Sequence, residues 1–500
     1  MSSESGIFTT QGGWSFPYPN VLNFVDGKFT ASHSTLTLSN YDPSTGVVAG
    51  TLPRSDTVDV DAAVAAAAAA FPSWRATPLE ARAALLERVA LLLEASAPEL
   101  ARLESSDAGK TLSMATNTDL PRAIANLRFF AGAARHDSTP GAFALPDAVS
   151  IASRAPMGVI SLITPWNLPL YLLTWKVAPA LVMGNCVVAK PSEITPVTAT
   201  ALAAAFKAAG CPPGVLNIIH GLGSEVGARL CTSPSVRAVS FTGGTITGAR
   251  VASVAAPLFK KLSLELGGKN ATIIFNDVAV NEAVAAALRA GFTNNGQVCL
   301  CGSRIFVQEG LYDDFCVAFG IAVSALKVGA PLNEGTNVGP LSSSMHRDKV
   351  LEYINIGIKE GGELLAGGLG LPHDLDIKIK NGYYVRPTVF KGLNHTTSRV
   401  AREEIFGPVV SVFPFTTESQ VISLANDSPY GLSASVWTLD GGRALRIARE
   451  LEVGTVWVNT WLHRDLRAPF GGVKDSGTGR EGGAFSLDFY SEWKTTCIKY

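Results

Sequence analysis

GVISLIT (158–164), CVVAKPS (186–192), VLNIIHG (215–221), RAVSFTGG (237–244) and KLSLELGG (261–268) are apolar runs of strand length that recur between Gly158 and Leu266. Helical stretches separate them, of which TPVTATALAAAFKAAG (195–210) is the clearest. Apolar runs with few polar alternates suit strands covered on both faces, and strands alternating with helices imply βαβ units in a parallel sheet. The handedness of such crossovers makes the layer right-handed and doubly wound. This is a dinucleotide-type region.

Further along, a second alternating set begins at Asn270. It comprises NATIIF, a helix through Arg289, RIFVQ, the helix LYDDFCVAFGIAVSALKVG, VVSVFPF, the helix ESQVISLAND, a helix around Ala444–Glu450 and GTVWVNT. These predict a second α/β unit. The segment from about Ala134 to Ser153 is polar and weakly periodic, whereas the tail LDFYSEWKTTCIKY alternates like a strand outside both units. Separated edge strands of this kind serve as assembly elements, because their unpaired N–H and C=O groups seek partners. The alanine-rich run from Asp61 to Phe71, behind candidate caps Thr57 and Asp59, predicts a surface or packing helix.

The 500 residues exceed a single hydrophobic core, so two or three domains are expected. Hydrophobic residues make up 47% and charged residues 17%, with a formal net charge of −1. Scattered basic residues and near-neutral charge argue against a nucleic-acid or anionic-membrane surface. No apolar run approaches the length of a membrane span. Seven widely spread cysteines and an opening MSSESGIFTT without a basic, apolar leader point to free thiols in a reducing compartment, the cytoplasm by default.

NNGQVCLCG (294–302) sets Cys299 just after a predicted helix of small residues, and SLELGGKN (263–270) offers a carboxylate, Glu265. A thiol nucleophile with a distant glutamate, each beside glycines that allow close backbone approach, suggests covalent catalysis followed by hydrolysis. Cys299 and Cys301 do not read as a metal site, because no histidine has ligand spacing. Cys301 leads into RIFVQ and suits a buried structural role. In TPWNLPL (164–170) the amide of Asn167 is a candidate oxyanion donor, with the Cys299 N–H as the second; equally, it is a turn residue.

GLGSEVG (221–227) follows a strand, but its spacing is GxGxxxG rather than GxGxxG, so Gly223 marks either a cofactor turn or an ordinary one. FTGG (241–244) opens a helix near Thr245 whose first N–H groups suit a pyrophosphate, or an ordinary strand-to-helix turn. In AKPSE (189–193), Lys190 and Glu193 suit ribose hydroxyls or a solvated strand end; as a ribose contact Glu193 repels a 2′-phosphate and favours NAD over NADP. REEIFGPV (402–409) pairs Glu403 with Glu404 before a Gly-Pro turn, for sugar hydroxyls or as a solvated charge pair.

PWN, KPSE, FTGG, LELGGK, GQVC and EEIFGPV stand in the order found in the aldehyde dehydrogenase superfamily, which the chain resembles from about Val21 to Tyr500. The resemblance implies an α/β protein with a Rossmann-like doubly wound NAD domain (1–133 and 154–264), a catalytic domain (265–468) and a small β oligomerisation element (134–153 and 480–500), assembled as a homodimer or homotetramer. It implies that Cys299 attacks an aldehyde, that Asn167 and the Cys299 N–H stabilise the oxyanion, and that Glu265 activates the hydrolytic water. Lys190, Glu193 and Glu404 would hold the riboses, with Trp166, Gly223, Thr242, Gly243, Gly244, Leu266 and Phe406 around the rest of the cofactor. The family usually carries serine where this chain has Gly244, so one pyrophosphate contact is missing.

Within the superfamily, YDPSTG (41–46), DLPRAIANLRFF (119–130), PWNLPLYLLTWKVAPA (165–180), CLCGSRIFVQ (299–308) and TWLHRDLRAPFGG (460–472) are most similar to the 2-aminomuconate and 2-hydroxymuconate semialdehyde dehydrogenases of tryptophan and aromatic breakdown. Their substrates end in a carboxylate, for which arginine's planar fork is suited. The matching positions are Arg122 and Arg464, whose plain alternatives are a surface helix cation and a salt bridge to Asp465 or to a neighbouring subunit. A betaine-aldehyde or broad aliphatic dehydrogenase is the rival, and acyl transfer to coenzyme A is disfavoured by Glu265.

Overall fold

The structure, a computed structural model, describes residues 6–137 and 141–500. The opening MSSES and residues 138–140 of the polar segment lie outside the described residues. The recurrent apolar runs form strands β1 (Val159–Ile163), β2 (Cys186–Lys190), β3 (Leu216–Ile218), β4 (Val236–Thr242) and β5 (Lys261–Glu265). They lie parallel in the order β5-β4-β1-β2-β3. β1 and β2 are buried at every position, which is why their sequences read as unbroken apolar runs rather than alternations. A short hairpin, Asn23–Val25 with Lys28–Thr30, extends the sheet beyond β3, and Gly477–Thr478 pairs antiparallel with the end of β5.

The sheet doubles back at β1, which is flanked by β2 and β4. Crossovers leave β1 in opposite directions there, so a crevice opens beyond the carboxyl ends of the strands. Helices α1 (Leu120–Arg135) and α2 (Pro169–Val182) pack together beside it. α2 starts at a proline, whose absent N–H is no loss in a first turn, and is almost wholly buried. The alanine-rich helix runs from Thr57 to Ala76. Its cap is Asp56 rather than Thr57 or Asp59: the Asp56 carboxylate accepts from the N–H groups of Val58 and Asp59, and Asp59 returns a bond to the Asp56 N–H.

The second α/β set forms β6 (Ala271–Ile274), β7 (Arg304–Gln308), β8 (Thr388–Lys391), β9 (Val409–Phe415), β10 (Ser433–Trp437) and β11 (Thr455–Val458). These are parallel in the order β8-β9-β7-β6-β10-β11, with Glu363–Ala366 antiparallel on the outer edge of β8. Helix α3 (Thr245–Ala255) follows β4, and α4 (Val280–Phe292) leads to the Cys299 loop. In a third, small sheet the tail strand Glu492–Lys499 pairs along its length with Ala148–Ala155, which also forms a hairpin with Ala142–Leu145. Glu481 and Leu487, in contrast, are buried with the first core.

Asn185 fastens these parts. Its Oδ1 accepts from the N–H groups of Met157 (2.7 Å) and Gly158 (3.2 Å), and its Nδ2 donates to the carbonyls of Ala180 (3.1 Å) and Tyr490 (2.7 Å). One buried amide thus joins the entry to β1, the end of α2 and the approach to the tail strand. Losing it strands three backbone groups away from water, the Ala180 carbonyl keeping the Asn185 N–H at 3.2 Å, at about 1–3 kcal/mol for the first such group alone. Asn185→Ala is expected to lower the urea midpoint by an amount equivalent to at least ~3 kcal/mol; a midpoint within experimental error of the wild type would contradict this account.

Candidate active site

The predicted residues lie at the carboxyl edge of the first sheet. Asn167 follows β1, Lys190 ends β2, Gly223 follows β3, Thr242 ends β4 and Glu265 ends β5. The second unit contributes Cys299 between α4 and β7, and Glu404 and Phe406 just before β9.

Cys299 is partly exposed at the end of a loop that hydrogen bonds pin in place. Its carbonyl accepts from Asn270 Nδ2 at 2.7 Å. Asn167, buried, donates its amide to the Gln297 carbonyl at 2.9 Å, and its own carbonyl accepts from Asn294 Nδ2 at 3.0 Å. An amide carries two N–H groups, so one bond to Gln297 leaves the other for an oxyanion. The glycines of LELGG admit protein atoms here: a Cβ on Gly268 would lie 2.9 Å from the Cys299 carbonyl oxygen, and one on Gly267 would collide with the Glu404 carboxylate. The thiol is pushed above the ordinary range by burial first, then by Glu404 and Glu265, while Arg464 opposes them. Cys301 is buried, with its thiol pushed up to about 12 by burial.

Glu265 is buried, and neither carboxylate oxygen has a hydrogen-bond partner. Burial, and then the neighbouring Glu481 carboxylate, hold it well above the usual carboxylate range, against Lys176, Arg464 and Arg480. Gly471 gives it room, since a Cβ there would lie 2.8 Å from Oε1. Glu481 itself is fully partnered: Lys176 Nζ donates to Oε1 at 2.6 Å and Trp175 Nε1 to Oε2 at 2.7 Å. Sequence reading did not find this pair. A lone lysine inside the apolar helix LYLLTWKVAPA is the signal it left, because a buried ammonium requires a partner.

Arg122 on α1 and Arg464 on the loop before PFGG converge on the same two rings of α2. The Arg122 Cζ lies 5.4 Å from the centroids of both Tyr171 and Trp175. The Arg464 Cζ lies 5.4 Å from Trp175 and 3.7 Å from Phe470, and its Nη1 donates to the Tyr171 hydroxyl at 3.3 Å. Burial holds Arg122 below the ordinary arginine range; Tyr171 opposes it, Arg464 adds to it by repulsion, and Asp465 opposes it in turn. Asn126 orients it, accepting from Arg122 Nε at 3.1 Å while donating to the Tyr171 carbonyl at 3.1 Å. Arg122 Nη2 is buried without a partner. Arg122 is part-buried rather than a surface cation, and Asp465 pairs with Arg467 at 2.6 Å rather than with Arg464.

On the other side of Cys299, Glu404 Oε1 accepts from the Gly268 N–H at 2.9 Å. Glu403, expected beside it, turns outward to Arg399 and Tyr353, so the two carboxylates do not act as a pair. Phe406 has a left-handed backbone, φ 63°, and its ring stands perpendicular to Trp166 at 5.4 Å. His346 packs on Trp166 at 4.9 Å and bonds to the Phe406 carbonyl at 2.7 Å. Burial lowers its imidazole to about 4 and keeps it neutral.

Lys190 Nζ pairs with Glu193 Oε2 at 2.6 Å. The Thr242 hydroxyl is buried and unpartnered, and the Gly243 N–H donates to the Glu265 carbonyl at 3.0 Å. Gly244 caps α3 with open space where a side chain would stand. Leu266 packs onto α3 at Gly248, and Gly223 opens a π-helical turn, Gly223–Gly227. A helix start with clear approach, an unused hydroxyl beside it and a ribose-type Lys–Glu pair fit a dinucleotide. Among the described residues no three His, Cys, Asp or Glu side chains are grouped to hold a metal, and no helix is long and apolar enough to cross a membrane.

Comparison with known proteins agrees with this arrangement. The model of the aldehyde dehydrogenase family matches residues 29–496. The chain is 46% identical over 479 residues to the mouse (Mus musculus) 2-aminomuconic semialdehyde dehydrogenase, covering 96% of this chain and 98% of that protein. It is 47% identical over 487 residues to a 2-aminomuconic 6-semialdehyde dehydrogenase of Pseudomonas sp., covering 95% and 97%. Among solved structures, an NAD+ complex of aldehyde dehydrogenase from Bacillus cereus superposes with a TM-score of 0.93 at 37% identity, over 96% of both chains. The chain therefore belongs to the aldehyde dehydrogenase family.

Proposed function

We propose that this protein oxidises, with NAD, a short conjugated aldehyde carrying a carboxylate at its far end, of the kind represented by 2-aminomuconate or 2-hydroxymuconate 6-semialdehyde. The observation that carries this reading is the convergence of Arg122 and Arg464 on Tyr171 and Trp175, with an arginine N–H buried and unpartnered. Two guanidinium groups near enough to repel, neither in a salt bridge among the described residues, are stabilised when an anion sits there. A betaine-type cation would be repelled by them. The names of the two relatives point to the same substrate class.

Cys299 supplies the nucleophile. Its thiolate adds to the carbonyl carbon, and the resulting oxyanion takes hydrogen bonds from the Asn167 amide and the Cys299 N–H. When bound, nicotinamide supplies the acceptor for the hydride that leaves this carbon. The thioester left on Cys299 is then cleaved by water, whose proton passes to Glu265; the tetrahedral adduct collapses to the carboxylic acid and free thiolate. Lys190, Glu193 and Glu404 would hold the riboses, and Thr242, Gly243 and the start of α3 the pyrophosphate, with Gly223, Leu266, Trp166 and Phe406 as the surrounding surface. The exposed Phe143, Leu145, Trp493 and Ile498 of the small sheet favour a homodimer or homotetramer. Seven free cysteines favour a reducing compartment, and the cytoplasm is the location proposed.

Arg122→Ala is the clean test, since Arg464 also favours the Cys299 thiolate. NADH formation with 2-hydroxymuconate semialdehyde is expected to lose roughly tenfold to a hundredfold in kcat/KM, the worth of one charged hydrogen bond, whereas a neutral aliphatic aldehyde changes less than about twofold. Equal losses on both, or faster turnover of betaine aldehyde, would sink the muconic assignment. Arg464→Ala should cost both substrates and move the pH profile of thiol alkylation upward.

For Glu265 the proton-requiring step is hydrolysis. Glu265→Gln is expected to keep a first burst of NADH but lose about a hundredfold or more of the steady-state rate; loss of the burst itself would reassign the residue. Because the folded value is raised, deacylation should rise with pH through a midpoint above the usual carboxylate range. The stability sign is opposite. Between the ordinary and raised values the folded protein keeps a proton that the unfolded chain has lost, so stability falls as pH rises through that window.

A further inference from the structure

We infer that Asn295 is a positioning residue for Cys299, clamping the nucleophile loop between the two α/β units through its own side chain. Asn294, Asn295 and Gly296 stand in succession in the left-handed region, with φ of 52°, 59° and 72°. L-residues visit that region singly and do not hold it in runs unaided. Asn and Gly are the residue types that tolerate it, which explains the composition of NNGQ but not what keeps the run in place.

The hydrogen bonds of Asn295 do. The residue is 1% exposed. Its Nδ2 donates to the carbonyls of Gly109 (3.3 Å) and Pro340 (2.9 Å), and its Oδ1 accepts from the Gly339 N–H at 2.8 Å. Gly109 follows a helix packed on the first unit, and Gly339–Pro340 belong to the second. One side chain therefore ties three backbone groups from two distant segments to the base of the loop that ends at Cys299. Neighbouring bonds repeat the pattern: Gln297 Oε1 accepts from the Ser342 N–H at 3.1 Å, and a Cβ at Gly296 would collide with the Gly407 carbonyl. With every polar atom of its side chain engaged and three residues between it and Cys299, Asn295 acts through the loop rather than on the substrate.

The inference rests on Cys299 being the nucleophile, so Cys299→Ala is measured alongside; turnover by that variant would sink the nucleophile reading and is separate from any result at position 295. Asn295→Gly keeps the left-handed backbone at no cost and removes only the side-chain bonds. In that variant kcat on the preferred aldehyde, per active site, is expected to fall about tenfold, as for a small misplacement of a reacting group, with KM and NAD affinity within about twofold. The pH midpoint of iodoacetamide alkylation should move down towards that of an ordinary thiol, because a loosened loop admits more water to a residue that is now only partly exposed. Unchanged kcat would overturn the proposal, and so would a lower kcat with the alkylation midpoint unmoved. Should Asn295→Gly not fold, Asn295→Asp keeps the acceptor for Gly339 and sets a carboxylate against two carbonyls; it must shift kcat and the midpoint in the same directions, and failure of either shift overturns the proposal.

Discussion

The pairing of β1 with β2 on one side and β4 on the other decides where everything else can stand. A parallel sheet that reverses its winding at one strand leaves an uncovered crevice at that strand's carboxyl end, and the chain has put Asn167, Lys190, Thr242 and Glu265 at the strand ends around it. The second sheet then needs only to present a loop from the opposite side. Cys299 arrives on that loop, and the asparagines of both units meet across the gap through Asn167, Asn270 and Asn294. Amides suit this seam because each both donates and accepts without adding charge where charge is to develop.

Desolvation sets the electrical character of the crevice. Glu265 and Glu481 face each other in a buried region, and only Glu481 has a cation, Lys176, in contact. With no hydrogen-bonded cation of its own, Glu265 is held by burial and by Glu481 above the usual carboxylate range, against Lys176, Arg464 and Arg480, which suits a group that takes and returns a proton. Arg464 reaches both Glu265 and Cys299 electrostatically while its guanidinium lies on Phe470. The group proposed to receive the far end of a substrate is therefore part of the field felt at the Cys299 end.

How far these features could be read in advance depended on how local their causes are. The buried strands announce themselves as unbroken apolar runs, and the loops at their ends as clustered Gly, Pro and Asn, because sheet burial and turn sterics act over a few residues. Cys299, Glu265, Asn167, Glu404 and the two arginines were visible as residue types in such loops or helices. Their convergence was not, since Arg122 and Arg464 meet through packing on α2 that leaves no spacing rule in the chain. Asn185, Lys176–Glu481 and Asn295 escaped notice for the same reason: each joins segments dozens to hundreds of positions apart, and a single buried polar residue has no period. The outward turn of Glu403 and the cap at Asp56 are smaller misses, where one residue's rotation or a one-position shift chose between adjacent carboxylates.

Much of what surrounds the reactive pair comes from the last forty or so positions of the sequence: Arg464 and Gly471 beside Glu265, Gly477–Thr478 along β5, Glu481 against Lys176. During synthesis from the N-terminus these segments leave the ribosome long after Cys299. A nascent chain therefore carries its thiol for many residues without the cation, the glycine and the edge strand that give the site its shape. Until those late segments arrive, the crevice around Glu265 lacks the partners that give it its shape.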